Sequence, residues 1–257
     1  QLGDGTGSYN LSLNGNFTQA GGDFVIADNT GIGVFTVDGN FNINSGIVRV
    51  VSSNVDASAT VIGDVNITGG ELRFSENDFY TGTLIVGGDF THTGGTITNN
   101  EGGAPFDRIG HIVFNKAGTQ IYTSGGAFDP NRINFTVNSG STLQMASPTT
   151  VVGNGSIGSF VLSPGATLGV TSTAGITTTG PTGNIRVSGT RTYSTGANYI
   201  YNGGVNQAVG NGLTQNTPAN LEIDNAGFTV LLGANTSISG NLDVTAGILN
   251  SNGQNIT

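Results

Sequence analysis

The chain has 257 residues, of which 44 are glycine, none is cysteine or tryptophan, and only 9% are charged. The lack of cysteine excludes disulfide scaffolds and thiolate metal sites. A net charge of −9 argues against nucleic acid and anionic membrane surfaces as partners, because both attract basic surfaces. No apolar run approaches the roughly 20 residues that cross a bilayer as a helix, so we expect no membrane insertion.

A repeated phrase organises the N-terminal part of the chain, beginning as LNGNFTQAGGDFVI. Its marker is a glycine followed by Asn or Asp, and the marker recurs at intervals of about 24 residues, a period typical of solenoids. Apolar residues alternate at period two on both sides of the marker, which predicts short strands with one buried face. The copies lie at Leu13–Ile26, Val37–Val50, Val61–Phe74, Val86–Asn99 and Ile238–Asn250.

The pattern predicts an all-β fold, a parallel β-helix (β-solenoid) of about 24 residues per coil with three short strands separated by glycine and asparagine corners. No helix is expected, because Gly, Asn, Thr and β-branched residues disfavour one. We predict one continuous solenoid over residues 1–257. Its predicted parts are regular coils over 11–99, an excursion over 99–111, and modules over 112–198 and 199–257, the last one truncated.

The module boundaries follow a second phrase. The sequence IVFNKAGTQIYT at Ile112–Thr123 has a relative, YIYNGGVNQAVG, at Tyr199–Gly210. This longer period of roughly 87 residues indicates a few coils per module. The last module ends without an evident capping element, so we expect either further chain beyond Thr257 or closure by a partner.

The phrases GNFTQAGGDF, GDVNITGGELRF, VFNKAGTQIYT, YIYNGGVNQAVG and NLDVTAGILNSNGQNIT resemble the repeats of large secreted proteins of the Bacteroidota, many of them cargo of the type IX secretion system. They are more loosely similar to autotransporter-adhesin passenger repeats. The resemblance implies a right-handed parallel β-helix, export to the cell surface, and membership of a longer polypeptide. The C-terminal sorting domain of that secretion route is not among these residues.

Two groups of residues are candidate sites. The excursion brings four titratable residues close in sequence, Glu101, Asp107, Arg108 and His111, and is a candidate binding loop. The alternative is a solvated loop. The second group comprises Arg49 and Arg73, which occupy equivalent positions in adjacent coils, and Glu71 on the same face. This candidate exposed cluster predicts either a contact for an anionic polysaccharide or a surface ion-pair network.

Other acidic and histidine residues favour structural roles. Asp23 and Asp89 both stand in GGDF motifs, but they occupy different columns and do not predict a glycosidase carboxylate pair. Asp64 and Asp89 follow the marker in adjacent coils, where corner hydrogen bonds are the preferred interpretation and a shared calcium ion the alternative. His92 falls in an inward column and is predicted to be buried.

The leading functional hypothesis is a non-enzymatic structural or adhesive β-solenoid segment of a larger extracellular bacterial surface protein, with a protein or a glycan as partner. No cofactor is expected, with calcium at the Asp64 and Asp89 corners as the alternative. A second hypothesis is a carbohydrate-active β-helix, a lyase or hydrolase that uses the Asn99–His111 loop. A third is secretion-system cargo held by protein partners.

Overall fold

Parallel β-strands build the fold, and the residues that the structure describes contain no helix. The predicted all-β parallel solenoid is therefore confirmed. The structure is a computed structural model that describes residues 3–4, 7–28, 31–52, 55–76, 80–99, 109–129, 132–213 and 215–257. Within these ranges no helix is long and apolar enough to cross a membrane.

In chain order the first strands are β1 (Gly3–Asp4), β2 (Ser8–Leu13), β3 (Phe17–Asp28), β4 (Ile32–Val37), β5 (Phe41–Val51), β6 (Ala57–Val61), β7 (Val65–Ser75), β8 (Thr81–Val86), β9 (Phe90–Thr98), β10 (Ile109–Phe114) and β11 (Gly118–Ser124). They continue with β12 (Ala127–Phe128), β13 (Ile133–Val137), β14 (Ser141–Met145), β15 (Phe160–Leu162), β16 (Thr167–Val170), β17 (Arg191–Tyr193), β18 (Asn198–Tyr201), β19 (Gln207–Ala208), β20 (Asn220–Leu231) and β21 (Leu242–Asn250).

The chain forms two compact units. Unit 1 comprises Gln1–Phe114, Ser124–Phe135 and Gly155–Ser159, and unit 2 comprises Asn115–Thr123, Thr136–Asn154 and Phe160–Thr257. The proposed limits of the regular coils, the excursion and the two modules, and their union in one continuous solenoid, stay predictions.

Each coil of unit 1 contributes one strand to each of two parallel sheets. The longer strands pair in the order β1-β3-β5-β7-β9, and the shorter ones in the order β2-β4-β6-β8-β10. Phe17 lies opposite Phe41 and Phe41 opposite Val65, so the marker glycines are in register as predicted. Coils therefore stack with like residues above one another, which is how a short repeat builds a continuous core.

Two of the three predicted strands of a coil are joined into one strand of 9 to 12 residues. The joint is a bend at the glycine seven residues after the marker, for example Gly46 with φ 76°. A Cβ on Gly46 would lie 2.5 Å from the carbonyl oxygen of Gly22 in the preceding coil. Glycine is required there by both the positive φ and the close backbone approach, and pairing continues past the bend.

The core of unit 1 consists of apolar columns that face inward from both sheets. Phe41, Val65 and Phe90 are completely buried. Phe17 stacks on Phe41 with ring centroids 4.9 Å apart and an interplanar angle of 21°. Burying one such side chain contributes about 1.5–3 kcal/mol, so these columns are the main source of stability.

Corner side chains add a hydrogen-bonded ladder between coils. Asn16 Oδ1 accepts a bond of 2.8 Å from the Asn40 N–H, and Asn40 Oδ1 accepts one of 2.9 Å from the Asp64 N–H. Asp64 Oδ1 in turn accepts a bond of 2.8 Å from the Asp89 N–H. The residue after each marker is therefore Asn or Asp because its side chain must supply an acceptor to the next coil.

Replacing Asn40 by alanine is expected to lower the free energy of unfolding by about 1–2 kcal/mol, because the Asp64 N–H at the corner loses its acceptor. Asp64→Asn keeps an Oδ1 acceptor for the Asp89 N–H, so this change should leave the free energy of unfolding nearly unchanged. Asn44→Ala is the matched control, since exposed Asn44 accepts only a side-chain bond from Thr68. Urea denaturation of the variants measures the difference, and an Asn40→Ala loss no larger than that of Asn44→Ala would contradict the ladder.

The coils of unit 2 are less regular. Its main sheet runs β11-β14-β16-β18-β20, with β19 and β21 also paired to β20, while β15 pairs with β17. Corner asparagines continue the coil spacing, at 22 residues between Asn198 and Asn220 and 21 between Asn220 and Asn241. The coil between β16 and β17 is enlarged by a stretch without strands, residues 171–190. Buried polar side chains hold that stretch in place.

Candidate functional site

The predicted charged cluster does assemble on the outer face of unit 1. Arg49 on β5 lies opposite Arg73 on β7, and Ile47 lies opposite Glu71. The alternation of β5 and β7 buries Val48 and Leu72 and turns the intervening charged residues outward. The period of two in the sequence therefore places all three predicted residues together.

Two further carboxylates complete the cluster. Asp23 accepts two bonds from Arg49 Nε, at 2.9 and 3.0 Å, and a third contact of 2.8 Å from Nη2. Glu76 contacts Nη1 of Arg49 and also Nη1 of Arg73, the latter at 2.5 Å. Glu71 accepts from Arg73 Nε at 2.5 Å. The charged cluster is thus a chain of alternating sign, Asp23–Arg49–Glu76–Arg73–Glu71.

This arrangement favours an ion-pair network over an anion-binding site. The two guanidinium groups lie in one column and would repel each other, but Glu76 bridges them. Three carboxylates surround the two cations, and the arginine side chains are only 19% and 16% exposed. An anionic polysaccharide would have to displace these carboxylates. The chemistry of the cluster is therefore coil-to-coil cross-linking.

We expect Glu76→Gln to lower the free energy of unfolding by about 1 kcal/mol at low salt, because the bridge between Arg49 and Arg73 loses its charge. Asp23→Asn is the matched control: its carboxylate is 45% exposed and serves one arginine, so its effect should be smaller. Urea denaturation at about 0.05 M and 1 M NaCl tests this, because screening should shrink the Glu76 effect. Equal losses for both variants would refute the bridging role.

The predicted binding loop is only partly described. Glu101, Asp107 and Arg108 lie outside the described residues. His111 is on β10, opposite Thr83 of β8, with its side chain half-buried on the outer face of the sheet. Burial lowers the pKa of His111 below its ordinary value, so the imidazole is neutral near neutral pH.

The other acidic residues behave as structural groups. Asp23 belongs to the charged cluster, whereas the Asp89 N–H bonds the Asp64 side chain at a corner, so Asp23 and Asp89 do not form a carboxylate pair. The Asp64–Asp89 contact is the predicted corner hydrogen bond. Within the described residues no three His, Asp or Glu side chains lie close enough to hold a metal ion.

His92 is completely buried, as predicted, in the column of Gln19, Ile43 and Ile67. Its Nε2 lies 3.4 Å from the Gly95 carbonyl oxygen, so the neutral ring carries its proton there. The buried Nδ1 has no hydrogen-bond partner in the described part of the chain. Burial lowers the pKa of His92 from 6.5 to about 4, because the charged ring would lose its hydration.

Unit 2 contains a buried cation that the sequence did not lead us to expect. Arg191 on β17 is 2% exposed. Its Nη1 donates to Thr177 O at 3.1 Å and Oγ1 at 2.8 Å, and its Nη2 donates to Gly180 O at 2.6 Å. Nε and Nη2 also donate to Val187 O at 3.1 and 3.0 Å. The guanidinium therefore adds hydrogen bonds to three residues of the strand-free stretch 171–190, and the signal in the sequence was an arginine at an inward strand position.

Asn184, also within residues 171–190, is a second buried polar side chain that hydrogen-bonds to backbone groups. Its Oδ1 accepts from the Thr171 and Ser172 N–H groups at 2.9 and 2.8 Å, and its Nδ2 donates to Thr150 O at 2.8 Å. The residue is 2% exposed. A buried amide that serves three backbone groups fixes the conformation of an irregular stretch of chain.

Unit 2 also carries an open polar cleft of about 350 Å³. The Thr195 and Thr217 hydroxyls and the Asn235 amide nitrogen in it make no hydrogen bond to other described residues. Hydroxyl and amide groups without charge are the groups that bind neutral polar ligands. The lining residues are Thr195, Leu213, Gln215, Asn216, Thr217, Asn235, Thr236 and Ser237.

Two surfaces thus stand out: the charged cluster of unit 1, whose charges are satisfied internally, and the cleft of unit 2, whose polar groups are open to a ligand. A comparison with protein-family models, curated proteins and solved structures finds no match to this chain.

Proposed function

We propose that the chain is a structural and adhesive β-solenoid segment of a larger extracellular bacterial surface protein. The observation that carries the proposal is the repeated bonding between coils: strand pairing, corner acceptors and apolar columns recur at the same positions in successive coils. Because the regular coils of unit 1 are bonded to their neighbours in three ways, the repeat resists local opening there. The low charge and the polar Gly, Asn and Thr surface fit an exposed location.

An antibody raised against the chain tests this proposal on cells that encode the sequence. We expect the native antigen to have a mass far above 25.9 kDa and to be removed from intact cells by external protease. A cytosolic marker protein is the control for cell integrity. An antigen near 25.9 kDa that survives protease treatment of intact cells would contradict the proposal.

The adhesive part of the proposal assigns a neutral glycan to the unit 2 cleft. Support comes from the Thr195 and Thr217 hydroxyls and the Asn235 amide nitrogen, which are uncharged and make no hydrogen bond to other described residues, whereas Asn235 Oδ1 accepts one from the Asn255 N–H. Sugar hydroxyls both donate and accept hydrogen bonds, so mixed hydroxyl and amide groups suit them. The volume of about 350 Å³ corresponds to one or two sugar rings.

Binding of the purified chain to an array of neutral and acidic glycans tests the cleft. We expect binding to a neutral glycan, weakened about tenfold or more by the double variant Thr195→Val/Thr217→Val, which removes two hydroxyls with little change in shape. Thr192→Val, on β17, is the matched control. Binding only to acidic glycans, or equal binding by all variants, would overturn this assignment.

A further inference from the structure

The outer face of the shorter-strand sheet of unit 1 contains an open depression of about 400 Å³ beside the start of β6. β4 and β8 pair with β6 on its two sides. The depression therefore lies over stacked coils in the middle of the unit and does not depend on an end of the chain. Val34 and Ala57 form its apolar part.

The register of β6 and β8 places four polar side chains around this depression. Ala57 is paired with Gly82, and both face the core. The residues before and after this pair alternate to the outer face, at corners of a rectangle of roughly 5 by 7 Å, because strands lie about 4.8 Å apart and rise about 3.3 Å per residue. These four residues are Asp56, Ser58, Thr81 and Thr83.

Three of the four side chains are hydroxyls that are open to a ligand. Ser58, Thr81 and Thr83 make no side-chain hydrogen bond to other described residues. Each hydroxyl both donates and accepts, so the group matches a ligand with several hydroxyls of its own. Convergent polar groups beside an apolar wall are the usual composition of a small-molecule site.

The fourth side chain, Asp56, adds a negative charge without a counter-ion. Its Oδ1 accepts a bond of 2.6 Å from the Thr81 N–H, which holds the carboxylate beside the depression. No arginine or lysine contacts Asp56 in the described part of the chain, whereas each carboxylate of the charged cluster contacts an arginine. An ammonium group is the complement of a carboxylate held in this way.

We propose that this depression binds an amino sugar, with its ammonium group at Asp56 and its hydroxyls at Ser58, Thr81 and Thr83. The ammonium group donates a charge-assisted hydrogen bond to Oδ2 of Asp56, which the Thr81 N–H leaves open. An acidic sugar is repelled by the same carboxylate. This site is separate from the neutral-glycan cleft of unit 2, and neither assignment depends on the other.

The hydroxyls favour a sugar over a lysine side chain of a partner protein. A lysine ammonium group would satisfy Asp56, but the rest of that side chain is a run of methylenes. It would leave the hydroxyls of Ser58, Thr81 and Thr83 without ligand partners. A ring that carries both an ammonium group and hydroxyls serves all four side chains at once.

Nuclear magnetic resonance titration of the isotope-labelled chain with a glucosamine trisaccharide, near neutral pH, tests the proposal. We expect the backbone signals of Ser58, Thr81 and Thr83 to shift along a saturable curve. The N-acetylated trisaccharide keeps the rings but loses the positive charge, so it should bind about fivefold or more weakly. Trilysine keeps ammonium groups but has no hydroxyls, and it should also bind about fivefold or more weakly.

Asp56→Asn keeps an Oδ1 acceptor for the Thr81 N–H, so the fold should persist while binding of the glucosamine trisaccharide weakens about fivefold or more. Asp38→Asn is the matched control, because Asp38 is an exposed carboxylate of the same unit that does not line the depression. It measures the general attraction of a cationic ligand to a chain of net charge −9. The double variant Ser58→Ala/Thr83→Val tests the hydroxyls and should weaken binding about threefold or more.

The variants also separate this site from the unit 2 cleft, because Thr195→Val/Thr217→Val should bind the glucosamine trisaccharide like the parent chain. Equal losses from Asp56→Asn and Asp38→Asn would show non-specific attraction and overturn the proposal. Equal affinity for trilysine and the glucosamine trisaccharide would overturn the assignment of a sugar. Signals of Ser58, Thr81 and Thr83 that do not move would exclude the site itself.

Discussion

Replacing Arg191 by methionine is expected to lower the free energy of unfolding by about 2–4 kcal/mol. The side chain is 2% exposed and donates to the carbonyl oxygens of Thr177, Gly180 and Val187. Hydrogen bonds to a charged group are stronger than neutral ones, and buried carbonyls that lose a donor are costly. Methionine preserves much of the length and packing, so the loss reports on the hydrogen bonds.

Arg186→Met is the matched control for Arg191, because Arg186 lies in the same stretch, is half-buried, and donates one hydrogen bond, to Gly183 O at 3.1 Å. We expect it to cost less than about 1 kcal/mol. Arg191→Lys should also be destabilising, since an ammonium group cannot reproduce the planar set of donors. Similar losses from Arg186→Met and Arg191→Met in urea denaturation would show that residues 171–190 do not depend on this guanidinium.

Acidification is expected to destabilise unit 1 through His92. The pKa of His92 is about 4 in the folded chain and 6.5 as the ordinary value, so between these pH values the unfolded chain binds a proton that the folded chain does not. Stability is therefore fully present above pH 6.5, falls as the pH drops, and levels off below about pH 4. The total loss is about 3 kcal/mol, of which about 2 kcal/mol falls between about pH 7.5 and 5.0.

His92→Ile tests the assignment, because isoleucine already fills this column at Ile43 and Ile67. In the variant the loss of stability from about pH 7.5 to 5.0 should shrink by about 2 kcal/mol. His111→Gln is the comparison: His111 is only half-buried, so its lowered pKa contributes less in the same direction. An unchanged pH dependence in His92→Ile would refute the buried neutral imidazole as its source.

The repeat itself predicts the coil, its strands and its core. Markers spaced by about 24 residues, with apolar residues at fixed offsets, require stacked parallel strands, because only stacking buries every copy of the same face. The buried positions of Phe41, Val65 and Phe90, and the burial of His92, follow from that pattern alone. The corner hydrogen bonds were also predictable, since Asn and Asp recur where a backbone N–H needs an acceptor.

By contrast, only the folded chain shows which residues form each polar site. Arg49, Glu71 and Arg73 could be grouped from one column and one strand, and the repeat also places Asp23 in the Glu71 column, but the bond from Arg49 to Asp23, 26 residues away, depends on a side-chain conformation that the repeat does not specify. Unit 2 was less predictable still. Arg191 contacts residues 4 to 14 positions away in an irregular coil, where no period relates the partners. The repeated backbone is encoded in periodic, local information and can be derived from the residues alone, whereas the individual polar contacts depend on how each coil packs.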